Sequence, residues 1–181
     1  MNIDQLTEPC LDDIRHLSSA AIAELRSNQA GETGAVYIYE GILAASRSLG
    51  LRHFAHEHLQ TERIHLAAMN QLTPRRFRSK FLPIWRAAGW TLGAFSALVS
   101  DDFTYATIRA VETFVVQHYQ QQLDMFPTPI RDLLQQFCNE EAEHRDEADR
   151  ATGSLSGYPI WERLVGAGSV SYTHLRAHET S

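Results

Sequence analysis

The chain carries one short motif twice: Glu62-x-x-His65 and Glu141-x-x-His144 each lie in a stretch whose apolar residues recur at three- and four-residue spacing. That spacing marks helices, and residues three apart on a helix share a face, so each pair can direct a carboxylate oxygen and an imidazole nitrogen at one point. Two further glutamates precede the pairs, Glu32 thirty residues before Glu62 and Glu112 twenty-nine before Glu141. All four carboxylates sit in apolar stripes. Glu32 has Ala35, Val36 and Tyr39 on its C-terminal side, and Glu62 lies beside Leu59, Leu66 and Met69. Glu112 has Ile108 before it and Val115 and Val116 after it, while Glu141 follows Leu134, Phe137 and Cys138. Ionised carboxylates that converge in a core are tolerated only when paired, hydrogen-bonded or bound to cations. Read alone, the run "NEEAEHRDEADR" would be a solvated helix face. The repeated spacing argues otherwise.

A glutamate from each of two helices plus Glu-x-x-His from two others is the di-iron or di-manganese carboxylate arrangement of ferritin-like bundles. Four carboxylates balance the charge of two ferrous ions, and oxygen donors with imidazole suit iron better than structural zinc, which more often takes thiolates. The two cysteines, Cys10 and Cys138, form no C-x-x-C motif, which fits a reducing setting. The expected fold is therefore all-α: a ferritin-like four-helix bundle with an additional apolar helix. The periodicity places a weak helix over residues 11–26 and a longer one over 29–49, ended by Gly50. Further helices are expected over 52–72, before Pro74, over 102–125, ended by Pro127, and over 130–151, before the short piece "IWERLVGAG".

With 181 residues, one domain over residues 1–168 is expected, with 1–27 as an N-terminal extension or helix. The formal charge of −6 argues against nucleic acid as a partner. No basic and apolar leader opens the chain, so secretion is not expected. "HFAHEHLQ" fails to complete a zinc-protease H-E-x-x-H because Gln60 occupies its last position, and His53, His56 and His58 read as surface residues or as neighbours of the ligands. Neither a G-x-S-x-G elbow nor a P-loop is present.

Five blocks, "AGETGAVYIYEGILA", "EHLQTERIHL", "LPIWRAAGWTLGAFSALV", "AVETFVVQHYQQQL" and "EEAEHRDEA", resemble the demethoxyubiquinone hydroxylase family, the di-iron monooxygenases of ubiquinone biosynthesis, in the family's order over residues 30–166. The resemblance places iron ligands at Glu32, Glu62, His65, Glu112, Glu141 and His144, with Glu62 or Glu112 as bridging carboxylate. His118 and Tyr119 match the family's His-Tyr pair near the metals and are the candidate catalytic residues. Asp146 matches an aspartate expected to orient a ligating imidazole. The chain departs from the family at Asn28 and Gln29, where Asp-His is usual, and at Thr113, where a second glutamate is usual. Residues 169–181 lack helical periodicity and are read as a non-native, adaptor-derived tail.

The resemblance implies hydroxylation of the ring of a demethoxyubiquinol-type polyprenyl quinone, with two irons per chain, O₂ as co-substrate and NADH as reductant. It also implies partner proteins of ubiquinone biosynthesis or a homo-oligomer, and a peripheral position on the cytoplasmic side of a bacterial inner membrane. Residues 81–99 hold Trp85 and Trp90 among apolar side chains and follow Arg75, Arg76, Arg78 and Lys80, a pattern suited to the interface of an anionic membrane. A transmembrane span is the competing reading, opposed by Pro83, Arg86, Gly89 and Gly93; an ordinary core helix or an oligomer interface is the bland one. For function, the alternatives are ferritin-like iron oxidation and storage, or hydroxylation of a modified tRNA base, which would want a basic surface.

Overall fold

Serine side chains start three of the long helices. Ser18, Ser48 and Ser100 accept hydrogen bonds from the backbone N–H of Ala21, Leu51 and Phe103 at 3.1, 3.4 and 3.1 Å, satisfying donors that the first helical turn leaves free. The computed structural model describes residues 3–152, 158–161 and 163–165. Its long elements are α1 (Ile3–Leu11), α2 (Ser19–Ala45), α3 (Leu49–Leu72), α4 (Leu82–Val99), α5 (Asp101–Gln122) and α6 (Thr128–Ala151). No strand occurs among the described residues. The all-α expectation holds. The expected tail at residues 169–181 lies outside the described residues.

Two expected boundaries are corrected. A helix over 11–26 followed by another from 29 is in fact one helix from Ser19, and the polar residues at the expected junction have tertiary partners. Asn28 and Gln122 exchange two amide hydrogen bonds of 2.9 Å, and Gln29 donates to Asn70 at 3.1 Å. Gly50 does not end a helix either. It lies in the first turn of α3, since the chain turns earlier, at Ser46–Ser48, where Ser46 is extended and Ser48 caps.

The bundle consists of α2, α3, α5 and α6, each antiparallel to its neighbours. Gln29 with Asn70 and Glu40 with Arg63 fix the register of α2 on α3, and Asn28 with Gln122 fixes α2 on α5. Cys138 with Val116 ties α6 to α5, and His58 with Glu147 ties α3 to α6. Two apolar plugs fill the interior. One gathers Leu25, Met69, Leu72, Phe126, Ile130 and Phe137; the other gathers Ile42, Leu51, Phe54, Leu59, Ile108 and Ala148.

The connection between the two hairpins carries α4, which packs most extensively on α2 and runs parallel to it. The contact is backbone on backbone. A Cβ at Gly93 would overlap the carbonyl of Ile38, one at Gly89 that of Gly34, and one at Gly41 that of Trp90. Its outer face keeps Ile84, Trp90, Phe95, Leu98 and Val99 exposed. Among the described residues, no helix is long and apolar enough to cross a membrane. Trp161, from the short helical piece beyond α6, packs on Phe103 with ring centres 4.9 Å apart and donates to Thr107 Oγ1 at 2.8 Å.

Candidate metal centre

One turn of each bundle helix faces the space between the two apolar plugs. Glu32 (α2), Glu62 and His65 (α3), Glu112 (α5), and Glu141 and His144 (α6) are all buried there, with Glu62 and His65 fully enclosed. The six expected ligands are brought together. They fall into two overlapping groups, Glu32–Glu62–His65–Glu141 and Glu62–Glu112–Glu141–His144, within each of which one candidate donor atom per residue lies within 4.8 Å of the others. Glu62 and Glu141 belong to both groups. Glu32, His65, Glu112 and His144 belong to one group each.

The hydrogen bonding is incomplete in an informative way. Tyr119 Oη donates to Glu32, and Tyr39 Oη donates to Glu112 Oε1 at 3.2 Å. His65 Nδ1 lies 2.8 Å from Glu141 Oε1, and His144 Nδ1 lies 3.2 Å from both Glu62 Oε1 and Glu141 Oε2. Yet both Glu62 oxygens, Glu112 Oε2, Glu141 Oε2 and His144 Nδ1 are buried without a well-formed hydrogen bond. Buried acceptors aimed at one another require a compensating charge. Two divalent cations fit: the donors are hard oxygens and imidazole, the set that suits iron or manganese.

Without ions, the groups share protons. Burial pushes the carboxyls of Glu32, Glu62 and Glu112 above the usual range. Burial acts the same way on Glu141, but the imidazoles of His144 and His65 outweigh it and hold that carboxyl low. For His144, burial favours the neutral ring, whereas Glu141 and Glu62 beside it raise its pKa to about 11. His65 is raised likewise, against burial, by Glu140 and Glu141.

A cavity of about 170 Å³ reaches this cluster from between α2, α4 and α5. Ala30, Gly34, Ile38, Trp85, Leu92 and Val115 line it, and it ends on Glu32, Glu112 and Glu141. His118 and Tyr119 also line it. Tyr119 touches the cluster through Glu32, whereas His118 stacks on Phe114 and has Nε2 3.7 Å from Glu24 Oε2. Of the other histidines, His53 and His56 are exposed, and buried His58 lies edge-on to His144 with ring centres 4.2 Å apart. Burial, with His144 alongside, lowers the His58 pKa to about 3.

Asp146 does not orient a ligand. It is exposed and accepts from Arg145 at 2.6 Å, because its place on α6 points away from the bundle. Glu140 takes that part, its Oε2 2.6 Å from His65 Nε2. Sequence reasoning missed Glu140, one of several acids in a row, and it missed the role of Tyr39. For Tyr39 a signal existed: it follows Glu32 by seven residues, as Tyr119 follows Glu112.

The model of the family "Ubiquinone biosynthesis protein COQ7" matches residues 19–175. A 3-demethoxyubiquinol 3-hydroxylase of Rhodospirillum rubrum is 40% identical over 166 residues, spanning 84% of this chain and 76% of the relative. The protein of the same name from Xanthomonas axonopodis pv. citri is 32% identical over 170 residues, spanning 90% and 76%. The mitochondrial NADPH-dependent 3-demethoxyubiquinone 3-hydroxylase of Mus musculus is 30% identical over 186 residues, spanning 97% and 81%.

Proposed function

The chain belongs to the ubiquinone biosynthesis protein COQ7 family, and from that premise we propose that its paired Glu/His groups hold two iron ions at which a demethoxyubiquinol-type polyprenyl quinone is hydroxylated. The enzyme is a hydroxylase of ubiquinone biosynthesis. The reaction inserts one atom of O₂ into a ring C–H bond and releases the other as water, consuming two electrons and two protons. The iron pair, when bound, supplies O₂ activation and the passage of those electrons. The observation that carries the proposal is an apolar cavity that ends on carboxylate oxygens lacking hydrogen-bond donors.

The chain's own residues do the rest. Glu32 and His65 would hold one ion, Glu112 and His144 the other, and Glu62 and Glu141, which belong to both groups, would serve both. Tyr119 and Tyr39 hold the two outer carboxylates in place through their hydroxyl groups. The mostly apolar cavity walls, Ile38, Trp85, Leu92 and Val115 among them, suit a ring lying against the cluster. His118 offers the cavity a polar group for a quinol oxygen. An apolar groove on α4, lined by Ile84, Thr91, Phe95 and Trp161, shares Ala88 and Leu92 with the cavity and provides a course for the prenyl tail.

A lipid substrate sets the location. The exposed apolar face of α4 supports a peripheral position on a membrane, in a bacterium on the cytoplasmic side of the inner membrane. The reductant is a reduced nicotinamide. The expectation of NADH widens to include NADPH, which the name of the mouse relative carries.

Purified chain loaded with Fe(II) without air, then given a short-tailed demethoxyubiquinone, O₂ and NADH or NADPH, is expected to yield a product heavier by one oxygen atom. Ala88→Trp, which sets a bulky ring at the exposed rim shared by the cavity and the groove, is expected to slow this strongly while leaving the iron content unchanged. Ferrous oxidation to mineral with no hydroxylated product would refute the proposal in favour of iron storage.

A further inference from the structure

The ligand repeat supplies an internal standard. Glu32 corresponds to Glu112, Glu62 to Glu141, and His65 to His144. The tyrosines seven residues on, Tyr39 and Tyr119, correspond as well, each donating to the outer glutamate of the opposite helix. Against this twofold pattern, two positions beside the histidines differ. Glu141 is preceded by Glu140, where Glu62 is preceded by Thr61. Four residues before the Glu-x-x-His stands Phe137 in one copy and His58 in the other.

Both differences act on the imidazoles. His65 has its Nδ1 towards Glu141 and Glu32, at 2.8 and 3.7 Å, and its Nε2 against Glu140, while the Phe137 ring stacks on it at 4.0 Å. Glu140 is itself held, accepting from Gln136 at 2.9 Å. A carboxylate on the outer nitrogen places the proton there, leaves the inner lone pair for a metal, and makes the ring a stronger donor. His144 instead meets the edge of His58, whose own Nε2 is turned to Glu147 at 3.3 Å. Thr61, at the position equivalent to Glu140, carries no charge to play the same part.

Resting on the dimetal reading above, we infer that the two metal positions are inequivalent, that the position on His65 is the tighter and fills first, and that Glu140 is the positioning residue responsible. The charge of Glu140 adds to this preference, because it favours a cation on the His65 side over the His144 side. The second ion then enters a site whose shared carboxylates, Glu62 and Glu141, are already engaged, which widens the gap between the two affinities.

The test is anaerobic titration of the full-length apo-protein with Co(II), following heat and the visible absorption of the bound ion. Two resolved steps are expected. Glu140→Gln is expected to weaken the first step by about 10- to 100-fold and to alter its absorption bands, leaving the second step in place. Glu140→Asp should recover part of the loss, which a merely structural defect would not show, and circular dichroism checks that the helices persist. His58→Phe, which makes the second copy resemble the first at that position, is expected to leave the tight step unchanged. A single step with two equivalent ions, or a first step indifferent to Glu140→Gln, would overturn the inference and leave the dimetal centre standing. Absence of any bound Co(II) would remove both.

Discussion

Glu112 is a costly buried carboxyl in the fold and, on the proposed dimetal reading, a ligand, and the two roles can be separated by substitution. Its carboxyl is buried, and burial followed by repulsion from Glu141 and Glu62 raises its pKa well above the ordinary value. A carboxyl raised in the folded state contributes stability below its unfolded pKa and loses it as pH rises through the folded one. Glu112→Gln is therefore expected to make the apo-protein more stable than the parent near pH 7, by roughly 1–3 kcal/mol. In thermal melts that is about 2–4 °C per kcal/mol, and the gain should vanish near pH 4. The same variant should bind one iron instead of two by elemental analysis, whereas Glu62→Gln or Glu141→Gln should lose both. His65 and His144, both raised above the ordinary imidazole value, must give up protons to act as ligands, and the raised carboxyls of Glu32, Glu62 and Glu112 add to that demand. Metal loading is accordingly expected to release protons and to tighten as pH rises, which calorimetry in two buffers of different ionisation heat would detect; loading without proton release would contradict the shared-proton picture.

At the level of elements, the glycines of α4 are the part whose meaning changed most between sequence and structure. Gly89 and Gly93 argue from sequence only that α4 is a poor membrane span; in the fold they let its backbone lie directly on that of α2. Gly93→Ala is expected to destabilise by about 1–3 kcal/mol, because the Ile38 carbonyl it meets is backbone and cannot turn aside. Gly50→Ala is the contrasting case. Gly50 is exposed in the first turn of α3 with open space around it, so alanine should stabilise by about 0.5–1 kcal/mol. Opposite shifts in melting temperature confirm the packing; equal shifts would refute it. The helix ends show the same limit of local reasoning. Pro74 marks the stop of α3 from local chemistry alone, whereas the continuity of α2 through Asn28 and Gln29 is supported by partners on α5 and α3.

Across the whole molecule, an apolar helix face, a groove and a cavity lie on one side. Ile84, Phe95 and Leu98 are 59%, 50% and 73% exposed, too much apolar surface on one helix to be without consequence. Replacing the three with serine should weaken sedimentation with anionic lipid vesicles at least tenfold, since each buried side chain of this size contributes about 1.5–3 kcal/mol; unchanged partition would refute a membrane role for α4. The basic residues before α4 divide. Arg75, Arg76 and Lys80 are exposed, but Arg78 donates to the carbonyls of Thr73 and Asn70 and serves the loop. What the sequence alone determined was the helical class and the six inward side chains, because helical period and the expense of burying charge act over short stretches of chain. Which glutamates lie within reach of both histidines, that Glu140 rather than Asp146 backs a histidine, and that a cavity opens beneath α4 were decided by tertiary packing. Those features depend on distances between helices far apart in the chain, and no local spacing encodes them.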